Sequence, residues 1–205
     1  MGIGPWELLL LLGLVAILLT ARRLLRLSRP GDPSPHTFLL WAAQGFGLGR
    51  IPWAPGTFGS LGGLLWLIIS LGDGSLVRFV FAQVVAIAFS VRACGVAEQV
   101  LRQKDPGSVV LDEIVAVPLC FVAWIAIVAG RTGAMPAAEY FFSRQTVLFA
   151  LGIFVLFRLF DIAKPWPVRG SQSLPGGWGV TVDDLLAAVY VNLVVLLVFL
   201  VKHWF

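Results

Sequence analysis

Charge is the scarcest ingredient of this 205-residue chain: only 13% of residues are charged. A soluble domain carries roughly 25%. That scarcity excludes a disordered chain, and it excludes the dense basic face of a nucleic-acid module. No nucleic-acid partner is expected. Cysteine is nearly absent as well. Cys94 and Cys120 lie far apart in apolar stretches and supply neither a disulfide framework nor a zinc spacing. His36 and His203 are too few and too remote for a shared histidine site. Regular apolar–polar alternation is missing too, which argues against a membrane barrel.

What is present is apolar. Hydrophobic residues make up 59% of the chain, and mean hydropathy is +0.91. An integral membrane protein follows, and a spanning helix needs roughly 20 mostly apolar residues. Residues 5–21 form the first candidate. No basic residue precedes it, so it reads as a retained anchor rather than a cleaved signal. A polar, proline-rich linker follows at 28–37. Residues 61–71 are too few to span untilted. Residues 76–97, 109–130, 145–164 and 183–201 are each long enough. The expectation is an all-α polytopic membrane protein with about five spanning helices and one short or half-spanning helix. Its parts are an anchor at 1–27, the linker, and a membrane domain at 38–205.

Arginine and lysine placement orients the spans. Arg22, Arg23, Arg26 and Arg29 put the end of the first span in the cytoplasm, with Arg50, Arg102, Lys104, Lys164 and Arg169 on the same side. Arg78, Arg131, Arg144 and Lys202 fall outside. This topology brings four separated motifs to cytoplasmic helix ends.

The first motif, Gly45 to Gly63, reads GFGLGRIPWAPGTFGSLGG. Glycine and proline fix a tight backbone that a ligand can approach closely. Thr57 and Ser60 offer hydroxyls just before a helix, where free N–H groups attract anions. Close helix packing by small residues is the equal alternative. No lysine follows the glycines, so this is not a nucleotide P-loop. The second motif, KDPGSVVLDEI, opens an apolar helix with Asp112 and Glu113. Ionisable groups in such a place are expensive and are functional by default. Asp105 reads as a turn or cap residue. The third, FRLFDIAKPWP, spaces Arg158, Asp161 and Lys164 along one helical face. Pro165 should end the helix at Lys164. Arg158 and Lys164 would clamp phosphate with Asp161 on a cation, or the three form an ion-pair ladder. The fourth, PGGWGVTVDD, leads a glycine-rich loop into a helix through Asp183 and Asp184. Asp183 or Thr181 is also a candidate N-cap. Five converging carboxylates repel unless cations neutralise them, and hard oxygen ligands suit Mg²⁺.

Together the four motifs resemble the phosphatidylglycerophosphatase A family. The family pattern runs GFG-x-G-x-x-P-x-APGT-x-GS, D-E-x-V-G, F-D-x-x-KP-x-P and GG-x-G-V-x-x-DD-x-x-AG. Here it is carried by Gly45 to Ser60, Asp112 to Ala116, Phe160 to Pro167 and Gly176 to Ala188. Ala116 and Ala188 stand where the family has glycine; every charged position is intact. The resemblance spans roughly residues 36–200 and makes residues 38–205 the catalytic domain.

The resemblance implies Mg²⁺-dependent conversion of phosphatidylglycerol phosphate to phosphatidylglycerol, with a phospholipid substrate drawn from the bilayer. It implies a multi-pass protein of a bacterial cytoplasmic (inner) membrane with its active site on the cytoplasmic side. In this reading Asp112, Glu113, Asp183 and Asp184 hold Mg²⁺, with Asp161 as a further ligand or general base. Arg158, Lys164, Thr57 and Ser60 bind phosphate, and metal-activated water attacks. Asp112, Asp161 and Lys164 form the catalytic set. A cysteine-phosphatase signature has no match, since Val100 and Ala126 stand where its arginine would follow Cys94 and Cys120. The competing class is a small membrane transporter with a carboxylate-lined ion site, which would place charges near the midplane and carry an inverted repeat.

Overall fold

Pro55, Pro118 and Pro165 mark three interruptions in a run of apolar helices, and Gly72, Arg102 and Gly133 end three more of them. The computed structural model describes residues 35–204, so the expected anchor and most of the linker lie outside the described residues. Helix α1 is Pro35–Ala43, followed by a 3₁₀ segment, Gly45–Arg50. Then come α2 (Pro55–Leu71), α3 (Leu76–Leu101), α4 (Leu111–Leu119) and α5 (Val122–Thr132). The short α6 (Ala138–Phe141), α7 (Val147–Ala163), short α8 (Val168–Ser171) and long α9 (Gly177–Trp204) complete the order. Among the described residues there is no strand.

Among the described residues, three segments are long and apolar enough to cross a membrane: α3, the joined α4–α5 segment Leu111–Thr132, and α9 through Val201. The expected span at 145–164 is shorter. Lys164 leaves the helix in a left-handed conformation (φ +42°), and Pro165, which has no N–H to continue the ladder, follows it, so α7 keeps 17 residues. At 1.5 Å per residue that is about 26 Å, less than the ~30 Å hydrocarbon core. Helix α2 has the same length. The apolar run at 61–71 is therefore the C-terminal part of a longer helix that opens at Pro55, a favoured first-turn residue. The span expected at 109–130 is broken at Cys120–Phe121, two residues after Pro118. The last helix begins at Gly177 rather than near Asp183, six residues early.

The core lies where these helices cross. Leu67, Phe121, Phe141, Ile153, Phe157 and Val191 are all fully buried. Trp124 meets Phe141 and Phe149 edge-on at centroid separations of 4.8 and 4.6 Å, a geometry that adds to the area buried. Outward positions such as Val77, Leu148 and Ile162 are at least 70% exposed and apolar, as a lipid-facing surface requires. Helix α9 packs against α3, α4 and α7. Its crossing with α3 needs Gly177, where a Cβ would collide with the Val91 carbonyl oxygen.

Candidate active site

The chain's four charged motifs meet at one end of the bundle. Helix α2 brings Gly56, Gly59 and Ser60 in its first two turns. Helix α4 brings Asp112 and Glu113 in its first turn, where the helix dipole favours negative charge. The end of α7 brings Arg158, Asp161 and Lys164. Helix α9 brings Asp183 and Asp184 in its second turn. Because α9 starts at Gly177, neither Asp183 nor Thr181 is its N-cap; Thr181 is buried and bonds Ser90 at 3.1 Å instead.

Arg158 is the hub of one half of the site. Its Nη1 donates to Glu113 Oε1 at 3.0 Å, to Asp161 Oδ2 at 2.7 Å and to Ser60 Oγ at 3.3 Å. Ser60 Oγ also donates to the Gly56 carbonyl at 2.8 Å and lies 3.3 Å from Glu113 Oε2. The glycines make this approach possible. A Cβ at Gly59 would stand 2.6 Å from Glu113 Oε2, and one at Gly56 would collide with Glu113 Oε1 and the guanidinium. Close packing and carboxylate positioning are thus the same feature of α2. Ser60 lies inside that helix, not before it. Thr57 is in the first turn, and its N–H already donates to the Ala54 carbonyl at 2.9 Å.

Lys164 is the hub of the other half. Its Nζ donates to Asp183 Oδ2 at 2.6 Å and to Asp105 Oδ2 at 3.3 Å. Gln172 Nε2 donates to the same two oxygens at 3.1 and 2.9 Å. Burial pulls the Lys164 ammonium down. The Asp183 hydrogen bond and the charges of Asp183, Asp105 and Asp184 outweigh that and hold it above the ordinary lysine value. The expected ladder is therefore half formed: Arg158 pairs with Asp161 along α7, while Lys164 turns to α9 and the loop before α4.

Asp105 and Gln172 are the residues that sequence reasoning missed. Asp105 read as an ordinary turn residue, and Gln172 sits in a polar loop with nothing to mark it. Asp105 stands in the left-handed region (φ +47°), which aspartate adopts more readily than most residues.

Asp112 and Asp184 differ from the other acids. Both are buried, at 6% and 3% exposure. Asp112 Oδ1 and Asp184 Oδ2 have no hydrogen-bond partner. Asp184 lies in the field of Asp112, Asp161, Asp183 and Glu113, and Asp112 in that of Glu113, Asp183 and Asp105. Buried polar atoms without partners are uncommon and call for an explanation. Among the described residues, no three Asp, Glu, His or Cys side chains stand together as a ready-made metal-ligand set. The donors nonetheless fit a hard cation: all are carboxylates, and the two orphaned oxygens are the atoms it would take. Arg158 also keeps a buried Nε without a partner.

Comparison with known proteins places the chain in a family. The family model described as Phosphatidylglycerophosphatase A matches residues 41–199. A Haemophilus influenzae protein named phosphatidylglycerophosphatase A is 35% identical over 79% of this chain and 87% of its own. An Escherichia coli protein of the same name is 32% identical over 79% of this chain and 83% of its own. A Bacteroides thetaiotaomicron protein named "Putative phosphatidylinositol-3-phosphatase" is 34% identical over 71% of this chain and 84% of its own. No solved structure matches. With the match running from α1 to near the end of α9, this chain belongs to the phosphatidylglycerophosphatase A family of phosphatases.

Proposed function

We propose that this protein removes the terminal phosphate of phosphatidylglycerol phosphate, with Mg²⁺, at the cytoplasmic face of a bacterial inner membrane. The observation that carries the reading is the pair of buried, unpartnered oxygens, Asp112 Oδ1 and Asp184 Oδ2, beside two cation–carboxylate clusters. Asp112 and Asp184 are the primary cation ligands in this reading. Glu113 and Asp183 complete the set when Arg158 and Lys164 turn from them to the substrate. The chemistry that Mg²⁺ supplies when bound is charge neutralisation at the phosphoryl oxygens and activation of water.

The chain's own residues do the rest. Arg158 offers its buried Nε, and Lys164 its ammonium, to the phosphate oxygens. Ser60 holds the Arg158 guanidinium against α2. Thr57, one turn earlier, lines the same helix start as a phosphate contact. Asp161 is assigned to take the proton of the attacking water. The acyl chains stay among the outward apolar faces of the helices, so the reacting headgroup is presented at the bundle end. A transporter would need its charges near mid-helix. Here Asp183 is bonded to Gln172 of one loop and is joined through Lys164 to Asp105 of another, which favours chemistry at a surface.

The test is phosphate release by purified protein in detergent micelles. Release from phosphatidylglycerol phosphate should exceed release from phosphatidylinositol 3-phosphate and cease with chelator. No release from phosphatidylglycerol phosphate overturns the reading. Equal release without metal removes Mg²⁺ from it. A tag near Asp105 that is labelled only from outside the cell overturns the cytoplasmic orientation.

A further inference from the structure

Helix α4 carries Asp112 and stops at Leu119, and α5 resumes at Val122. In an unbroken helix the Ala123 N–H would donate to the Leu119 carbonyl, four residues back. It does not. Asn192 of α9 places its side-chain amide between them. Its Oδ1 accepts from the Ala123 N–H at 2.7 Å, and its Nδ2 donates to the Leu119 carbonyl at 2.8 Å. The same Nδ2 donates to the Ala188 carbonyl on its own helix at 2.7 Å. One carboxamide thus replaces one rung of another helix's ladder. A side chain inserted in this way is a recognised cause of helix kinks. Inside a membrane the freed backbone groups have no water to turn to.

The position of this peg matters because each helix it joins carries one of the orphaned acids. From Leu119 back to Asp112 is seven residues, about 10 Å of helix. From Asn192 back to Asp184 is eight residues, about 12 Å. The peg and the two acids therefore form a bracket whose arms are two rigid helical segments. Along the arms, Ala116 and Ala188 are buried in the same apolar cluster. Sliding α4 along α9 would break both hydrogen bonds of the Asn192 carboxamide to the break at once. Lengthening the break would re-aim Asp112.

We propose that Asn192 is a positioning residue that sets the spacing of Asp112 and Asp184 for cation binding. The inference rests on the reading of those two acids as the cation pair, but it can be tested without turnover. Asn192→Leu removes the inserted amide and lets the Leu119–Ala123 rung close, so the helix can straighten and the protein still fold. The experiment is the rise in thermal midpoint on adding Mg²⁺ to purified protein, with kcat and the Mg²⁺ concentration for half-maximal activity measured in parallel.

Asn192→Leu should raise that Mg²⁺ concentration at least about fivefold and lower kcat about tenfold or more, as loss of an outer supporting group does. KM for the lipid should change less than twofold. Asn192→Gln should recover part of the Mg²⁺ response. Val191→Ala, which removes buried packing one residue away, should lower the midpoint and leave the Mg²⁺ response unchanged. If Asn192→Leu is too unstable to purify, Asn192→Ser is read in its place. An unchanged Mg²⁺ response in folded Asn192→Leu or Asn192→Ser overturns the proposal, as does an equal loss in Val191→Ala. A wild-type Mg²⁺ response that Asn192→Leu loses, without hydrolysis of phosphatidylglycerol phosphate, supports it and overturns only the substrate.

Discussion

Among the described residues, two arginines are largely shielded from water, and they lie in opposite electrostatic settings. Arg78, near the start of α3, pairs with one acid, Asp73, at 2.6 Å and caps the end of α2 through the Leu71 carbonyl at 2.5 Å. Asp73 is 67% exposed. One cation meets one wet carboxylate and one helix end. Arg158 meets one buried carboxylate, Glu113, and one half-buried one, Asp161, and the cluster around it and Lys164 gathers Asp105, Asp112, Glu113, Asp161, Asp183 and Asp184. The first setting is balanced and fastens a helix hairpin. The second gathers six carboxyl groups around two cationic hubs. An excess of buried carboxylate is not a stabilising design, because each unpaired charge costs several kcal/mol of desolvation. It makes sense where an external cation completes the set.

Substitutions should separate the two settings. The largest effect is expected at the orphaned oxygens. Asp112→Asn and Asp184→Asn keep the shape and remove the charge, and each should lower phosphate release by about 100-fold or more, measured at saturating Mg²⁺. Their thermal midpoints without Mg²⁺ should hold or rise, since like-charge repulsion is relieved. Next comes Arg158→Gln, which strands Glu113 and Asp161. Activity should fall by roughly 10- to 100-fold, and the midpoint should drop as well, because breaking a buried pair costs about 3–5 kcal/mol. Arg158→Lys should not restore activity, since an ammonium cannot reproduce the planar fork.

Gln172→Ala removes a neutral bridge while Lys164 still joins Asp105 to Asp183. A lost hydrogen bond worth about 0.5–1.5 kcal/mol predicts a two- to tenfold loss in kcat/KM. The smallest effect on catalysis is expected at the balanced end. Arg78→Gln should lower the thermal midpoint and leave kcat and Mg²⁺ dependence within twofold of wild type. A matching loss of Mg²⁺ response in Arg78→Gln would erase the distinction between the two ends.

Much of the site was legible because charge is conspicuous in an apolar chain. Asp112, Glu113, Arg158, Asp161, Lys164, Asp183 and Asp184 each interrupt a hydrophobic run, and the structure brings all of them to one end. Their pairing was not legible. Whether Lys164 meets Asp161 or Asp183 depends on the turn at Pro165, and a three-residue spacing within one helix suggests the wrong partner. Asp105 and Gln172 were invisible because polar residues are ordinary in loops; only the docking of two loops makes them neighbours. Span boundaries went astray for a related reason. Hydropathy does not register that Gly177 continues a helix by packing on α3, or that Asn192 splices into the break after Pro118. An uncharged amide inside a long apolar helix was the available signal for Asn192, since such a group must find partners.

The most direct measurement is calorimetric titration of Mg²⁺ into purified wild type, Asp112→Asn, Asp184→Asn and Asp73→Asn. Saturable binding is expected in wild type and in Asp73→Asn, and none in the two orphaned-acid variants. Binding of equal strength in all four would contradict the assignment of Asp112 and Asp184 as the cation site.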